Sequence, residues 1–431
     1  MAKSKRSDNI AASQVWTPDA PANSYTYVNR NDKEDELWKY LARSGVHPVV
    51  IGPSMIGKTS FVKNIIPKEN QIYICCVKGD TLASILDKTL DYLSLHPESF
   101  KEILLDIATK LEYSLPIIQG ISWKLGSFLK RRSEQKGAFI NVVESIVSRG
   151  MYWIIDDIQF LEDDASYKVL VDLAIRLNTL DASHRAKMIL LGRPECWEYF
   201  SKLHARERNI FKLIKLDLMS EDEIADIAFF GSEALHKFWG PSVEVYWAVS
   251  KYSLGWPRFV QVIFDEFWSD HIKKQAESKQ LLNQTGYAID VFESVVKIFM
   301  QDVELNRPHY VQQYNYIRDT YPFKDEKKSE LTILKWLLCL PNKQFVTSFA
   351  DEEFHREFKK KFPAEYNERK RSELRYGLTS LRDADEPINN ILKFISSGSQ
   401  FYFEDYEFNI YMNIRNRREN KEFKVKENVQ H

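Results

Sequence analysis

The 431-residue sequence is short of several things, and each shortage removes a class of protein. There are four cysteines, Cys75, Cys76, Cys196 and Cys339, at spacings that match no metal-ligand pattern. Cys75 and Cys76 adjoin in an apolar run where buried thiols are common, so a reducing, cytoplasmic setting is the natural reading. Charge of one sign is not in excess: the formal net charge is -1. That removes any general attraction to nucleic acid or anionic lipid and leaves only local patches. No apolar run approaches the roughly 18 residues of a membrane-spanning helix, and the N-terminal MAKSKRSDNIAASQ has no apolar signal core, so neither membrane insertion nor export is expected. Internal repeats at periods of about 20 to 50 residues are absent as well.

What is present, 44% hydrophobic and 28% charged residues, suits a soluble chain of two or three domains, each with its own core. Residues 1–24 are polar and small, with Pro18 and Pro21 interrupting any periodicity, and read as a flexible N-terminal tail. Next, Asp35 to Leu41 has helical spacing, and then five short β-rich runs alternate with helix-length segments: HPVVIG, QIYICCV, MYWIIDDI, KMILLG and FKLIKL. That alternation predicts an α/β fold with a parallel sheet covered on both faces. Residues 81–150 exceed what one crossover helix needs and contain amphipathic segments such as FKEILLDIATKL, a helical insertion that either contacts a partner or packs on the sheet.

After the fifth run, Ser220 with Glu223 three positions on forms a capping box ahead of an apolar-periodic stretch. The pattern stays helical to about residue 284, broken by SLGWPRF, and ILKFISSGSQFYF alternates like a hairpin around Ser-Gly-Ser. Helices followed by a hairpin suggest a winged-helix-like domain. The domains expected are therefore a flexible tail at 1–24, an α/β core at 25–215, a helical lid at 216–290, a winged-helix-like domain at 291–415 and a flexible tail at 416–431.

The chemistry is concentrated in VVIGPSMIGKTSFVKNI. Gly52, Pro53, Ser54, Met55, Ile56, Gly57, Lys58, Thr59 and Ser60 satisfy the phosphate-loop pattern G-x-x-x-x-G-K-S/T between a strand and a helix. Backbone N–H groups from about Met55 to Thr59 can wrap a β-phosphate, and the helix dipole adds positive charge. Gly52 and Gly57 are expected to allow the φ values and the close approach this requires. Lys58 is the candidate for β- and γ-phosphate oxygens, Thr59 for Mg²⁺ and Ser60 for the α-phosphate. The run MYWIIDDIQFL supplies two carboxylates at a strand end, Asp156 for the metal shell and Asp157 for the attacking water. At the end of KMILLGRPE, Arg193 presents a guanidinium whose fork matches γ-phosphate oxygens. Within SLGWPRFV, Gly255 and Pro257 give a rigid turn from which Arg258 can enter a phosphate pocket.

Together these residues resemble the STAND branch of the AAA+ related ATPases, in particular the archaeal-type and replication-initiator-like ATPases. The phosphate loop GPSMIGKTS, the Asp-Asp strand IIDDIQFL, the strand-end Arg of ILLGRP and the lid turn LGWPRF occur in that family's order. The approach segment, with Tyr27, Val28 and Arg30, is similar to the family's entry segment near the adenine. The resemblance implies a five-stranded sheet of order 5-1-4-3-2, an α-helical lid, ATP and Mg²⁺ as ligands, and nucleotide-controlled self-association as a homo-oligomer. Ser54 and Met55 depart from the arginines many relatives carry. Asp157 has a shorter reach than the glutamate of fast hydrolases. Arg131, Arg132 and Arg149 are candidates for a finger acting in trans. Larger relatives sense ligands with repeat arrays, so here the sensor or effector is expected in another protein, in settings such as microbial defence or mobile-element regulation.

Two other readings stand beside a slowly hydrolysing switch. One is a DNA-binding initiator or regulator using the winged helix, where Lys359, Lys360, Lys361, Arg369, Lys370, Arg371 and Arg375 could track phosphates, although Glu352, Glu353, Glu357, Glu365, Glu368 and Glu373 interleave with them. The other is a nucleotide-binding scaffold without turnover, against which the full set Lys58, Thr59, Asp156 and Asp157 argues.

Overall fold

The computed structural model describes residues 11–81, 84–85, 88–89, 92, 151–161, 164–180, 186–235, 243–275, 285–320, 337–338, 346–348, 352–361, 363, 391–395 and 400–419. Most of the expected insertion at 81–150, the finger candidates Arg131, Arg132 and Arg149, and the basic positions Arg369, Lys370, Arg371 and Arg375 lie outside the described residues. Two compact units divide the chain: Asn29–Gly52 with Ile65–Leu216, and Met1–Val28 with Pro53–Asn64 and Asp217–His431.

The first unit holds the sheet. Its strands are β1 (His47–Ile51), β2 (Gln71–Cys75), β3 (Tyr152–Asp156), β4 (Lys187–Gly192) and β5 (Phe211–Lys215), one in each of the five β-rich runs. All pair in parallel, in the order β2-β3-β4-β1-β5, which is 5-1-4-3-2 from the other edge. Parallel strands need crossovers, and helical crossovers cover both faces. Accordingly every residue of β1 and β4 is buried. Val49, Ile74, Ile155, Leu190, Phe200 and Phe211 belong to one apolar core, each aliphatic side chain contributing about 1.5–3 kcal/mol of burial energy.

Parallel direction also gathers the carboxyl ends of the strands along one edge, where open α/β sheets bind ligands. That edge carries Gly52, Asp157 and Arg193. Strand β4 ends in glycine for a packing reason: a Cβ on Gly192 would lie 2.8 Å from Ile158 Cγ1 and 2.9 Å from Cys196 Sγ. At the opposite edge His47 is fully buried, its Nδ1 accepting from the Met188 N–H at 3.0 Å and its Nε2 lying 3.2 Å from the Ala174 carbonyl. That pairing fixes the neutral tautomer with the proton on Nε2, and burial depresses the pKa to about 4.

The second unit is largely helical. Its helices Glu221–Leu235, Val243–Ser253 and Pro257–Gln275 pack on one another. The capping box forms as expected: Ser220 Oγ accepts from the Glu223 N–H at 3.2 Å, and a Glu223 carboxylate oxygen accepts from the Ser220 N–H at 2.7 Å. The turn in SLGWPRF is made by two left-handed residues, Leu254 (φ 52°) and Gly255 (φ 81°), after which Pro257 opens the next helix at the position where its missing N–H costs nothing. Helices Thr285–Asn306 and Pro308–Thr320 follow. The boundary expected at residue 290 falls inside the first of them.

Strands β6 (Thr347–Ser348), β7 (Leu392–Ile395) and β8 (Gln400–Phe403) form a small antiparallel sheet in the order β6-β8-β7. The β7–β8 pairing, with Phe394 opposite Phe401, is the one the alternating pattern predicts. The flanking helices are Glu352–Lys361 and Tyr406–Glu419.

Both expected tails need correction where they are described. Residues 11–24 are not a free tail: Ala12–Val15 is a helical turn, and Trp16, 1% exposed, packs at a tilt against Phe264 with ring centroids 5.1 Å apart. A Cβ at Gly231 would collide with its indole, so glycine there makes the socket. One buried tryptophan outweighs the polar composition around it. Likewise 416–419 continue the last helix, because Glu419 accepts from the Tyr314 hydroxyl at 2.9 Å and pairs with Arg318 and Arg415.

Candidate nucleotide site

Within the sheet unit, β3 delivers Asp156 at its last position, buried to 1% exposure. Its Oδ2 accepts from the Tyr73 hydroxyl on neighbouring β2 at 2.8 Å, and its Oδ1 accepts from the Asp157 N–H at 2.8 Å. These two donors fix the carboxylate plane. Asp157 sits in the left-handed region (φ 57°, ψ 41°) at the head of the turn Ile158–Phe160. A non-glycine residue there costs on the order of 1–3 kcal/mol, the kind of backbone strain that persists where surrounding bonds over-determine it. Here Asp157 Oδ1 accepts from Gln159 Nε2 at 2.8 Å, and the Cys75 thiol lies 3.7 Å from Oδ2. Burial and the neighbouring Asp157 carboxylate raise the Cys75 pKa to about 11, which keeps the thiol protonated and able to donate. Arg193, half-buried after β4, donates its backbone N–H to Gln159 Oε1 at 3.2 Å. Gly52 donates to the Gly192 carbonyl at 3.2 Å, closing β1 against β4. Arg30 precedes the helix Asn31–Ala42 and donates its N–H to Glu34.

Within the other unit, the loop Pro53–Gly57 leads into the helix Lys58–Ile65. Left-handed φ occurs at Met55 (61°) and Gly57 (94°), while Gly52 is not among the positive-φ residues. The Cβ built on Gly57 meets nothing within 4 Å, so glycine is required there by φ and not by space. Alternation of left-handed residues curls successive N–H groups toward one concavity, a nest suited to phosphate. Lys58 is 6% exposed and its ammonium donates to the Pro53 carbonyl at 2.9 Å, so the side chain is folded back along its own loop.

The lid turn meets this loop. Trp256 donates its indole N–H to the Ser54 carbonyl at 3.4 Å, and Arg258 contacts the Met55 sulfur through Nη1 while Nη2 pairs with Asp19 at 2.9 Å. The buried Nε of Arg258 has no hydrogen-bond partner among the described residues. Arg258 also acts electrostatically on Glu407 in the helix Tyr406–Glu419; burial raises the Glu407 pKa, and Arg307 and Arg258 oppose the rise. The N-terminal segment completes the arrangement: Ser60 Oγ accepts from the Ala22 N–H at 2.9 Å, and Asn64 Nδ2 donates to the Ala22 carbonyl at 3.0 Å. Ser60 retains its hydroxyl proton for an acceptor.

The structure thus groups Asp156, Asp157 and Arg193 in one unit, and Pro53 to Ser60 with Pro257 and Arg258 in the other. Sequence reasoning overlooked Tyr73, Gln159, Asp19 and Ala22. Gln159 was in plain view in IIDDIQFL, whereas Asp19 gave no signal. Among the described residues no three His, Cys, Asp and Glu side chains cluster as a metal cage. Mg²⁺ does not need one, because it takes one or two carboxylates with phosphate and water oxygens, and a carboxylate held in place as Asp156 is fits that role. Among the described residues no helix is long and apolar enough to cross a membrane.

A family model described as an AAA domain matches residues 43–200, which includes the phosphate loop, Asp156, Asp157 and Arg193 but not Arg30, Pro257 or Arg258. No curated protein matches the chain. Among solved structures, the chain is similar to a Walker-type ATPase of Pyrococcus abyssi (13% identity, 92% of this chain and 98% of that one, TM-score 0.48). It is also similar to Cdc6p from Pyrobaculum aerophilum (13%, 94% and 98%, TM-score 0.41). A third is the ORC2 protein of Aeropyrum pernix in its ADPNP-ADP complexes (11%, 92% and 95%, TM-score 0.44). Likeness at this level leaves the nucleotide chemistry to the chain's own residues.

Proposed function

We propose that this chain, which carries an AAA domain over residues 43–200, is an ATP-binding and slowly hydrolysing switch whose nucleotide state controls self-association or a separate effector. The observation that carries this reading is the seat of Arg258. A lid guanidinium held against the phosphate loop at Met55, with a buried Nε that has no hydrogen-bond partner among the described residues, supports its reading a phosphate. The loop supplies N–H groups, Lys58 charge and the Thr59 hydroxyl. Asp156 serves the metal shell, Asp157 polarises water, and Arg193 reads the γ-phosphate from the sheet. Bound Mg²⁺ would supply charge neutralisation on the phosphate oxygens.

Slow turnover follows from the short Asp157 side chain, and switching from two γ-phosphate readers on different elements. Lys58→Ala removes a charge-assisted contact, which costs about 1.5–3 kcal/mol or roughly 10- to 150-fold in ATP affinity. Calorimetry giving equal affinity for wild type and Lys58→Ala would remove the site assignment.

The DNA-binding reading keeps one supporting observation: Lys359, Lys360 and Lys361 are exposed together at the end of the helix Glu352–Lys361. Salt-dependent retention on duplex DNA, lost in a triple Lys→Ala variant, would favour it.

A further inference from the structure

We infer that Gln159 is a positioning residue that couples Asp157 to Arg193, an inference that rests on the functional reading above. One planar amide joins the two strand ends: Nε2 donates to Asp157 Oδ1 at 2.8 Å, and Oε1 accepts from the Arg193 N–H at 3.2 Å. The orientation is forced. A backbone N–H needs an acceptor and a carboxylate needs a donor, so only this amide rotamer satisfies both.

The neighbouring packing makes the bridge possible. Gly192 lets β4 close on Ile158, which brings the Arg193 N–H to the turn Ile158–Phe160. The left-handed backbone of Asp157 turns its carboxylate toward the same turn, and the Phe160 N–H donates to the Asp157 carbonyl at 3.0 Å to hold it. The amide holds Oδ1 firmly, and Oδ2 faces the weakly donating Cys75 thiol at 3.7 Å, so the carboxylate plane is set from both sides. Glutamine is then the residue type the place requires. Glutamate would set carboxylate against carboxylate, and an apolar side chain would free both strand ends.

The consequence is that the group reading the γ-phosphate and the group polarising water are linked through one side chain. A shift of Arg193 on phosphate contact is passed to the Asp157 carboxylate through Gln159. Turnover therefore depends on Gln159 while nucleotide binding does not, since both of the amide's bonds go to the strand-end residues Asp157 and Arg193.

The test uses the full chain with Mg-ATP, comparing wild type, Gln159→Ala, Gln159→Glu and Asp157→Asn for kcat and KM, with ATP affinity by calorimetry. Gln159→Ala should lose about 10- to 100-fold in kcat, the scale set by misplacing a catalytic group, with ATP affinity unchanged, which also shows that it folds. Gln159→Glu should lose kcat to a similar degree with affinity likewise kept, because a carboxylate cannot donate to Asp157 Oδ1. A merely structural glutamine would lower affinity and kcat together or neither. Wild-type kcat in either Gln159 variant, or an equal fall in affinity and kcat, would overturn the inference. Asp157→Asn separates the two levels: if it is inert while Gln159→Ala is fully active, the inference alone falls. If it turns over like wild type, the reading of Asp157 falls and takes this inference with it.

Discussion

The carboxylate group on the strand ends and the phosphate loop beneath the lid turn are built by different means. Asp156, Asp157 and Arg193 stand at the ends of β3 and β4, whose buried apolar pairs and parallel ladder place them, and Tyr73 and Gln159 adjust their orientation. The loop from Pro53 to Gly57 and the helix it opens are held instead from distant sequence: the loop by the side chains of Trp256 and Arg258 in the lid turn, and the helix by the Ala22 backbone against Ser60 and Asn64. A ladder rich in buried contacts resists local opening, whereas a few half-exposed polar bonds open at low cost. The comparison assigns fixed chemistry to the sheet and responsiveness to the lid and its N-terminal strap. That is the division a nucleotide switch needs.

The largest expected effect lies in the strap. Trp16→Ala removes a fully buried indole from its socket, and large-to-small core changes of this kind cost about 3–5 kcal/mol. Hydrogen exchange should speed up over Glu221–Leu235 and Pro257–Gln275, the helices that carry Gly231 and Phe264, while β1 to β5 keep their protection. Equal acceleration in the strands would break the distinction between the two regions.

Next comes Asp157→Asn, which should lower kcat by about 10²–10³-fold, the range of a lost positioned base, with ATP affinity retained. Steady-state hydrolysis at the wild-type rate would show that the strand-end carboxylate does no chemistry.

An acid limit should follow from the sheet unit. The His47 pKa is lowered from 6.5 to about 4 by burial, so the fold favours the neutral ring. The sign is fixed by that direction: His47 contributes its full stability above about pH 6.5, and the contribution is lost as pH falls from 6.5 through 4, reaching about 3 kcal/mol. Denaturant midpoints measured across this window should fall for wild type and fall less for His47→Gln; parallel slopes would mean that other groups set the acid limit.

The smallest effect is the most informative about the lid. Asp19 is 85% exposed where it pairs with Arg258, so by the rule for surface ion pairs the bond contributes under about 1 kcal/mol. If a γ-phosphate competes for the same guanidinium, Asp19→Asn should tighten ATP binding by up to about fivefold and leave ADP binding as it was. An equal change for both nucleotides would show that Arg258 does not distinguish them.

How legible each region was follows from range. The five strands could be read because each is a continuous apolar run, and the Ser220–Glu223 box because its partners are three residues apart. The sheet order came from the family resemblance and not from any strand by itself. The Asp19–Arg258 pair spans 239 positions, and nothing local in either segment announces it. Trp16 lay in a stretch whose polar residues and prolines dominate any compositional window, so its socket at Gly231 was invisible. Gln159 and Tyr73 were visible as residues, but their roles depend on which strand lies alongside which, a fact of topology that spacing along the chain does not carry.

The central claim, that the γ-phosphate is read by Arg258 and passed to the lid, is tested most directly by hydrogen exchange on Asp157→Asn, the variant expected to hold ATP with its turnover slowed. With ATP, residues 11–28 and 257–275 should change their protection relative to ADP, while the strands of the sheet remain as they are. Identical exchange in the two nucleotides across both segments would contradict the account.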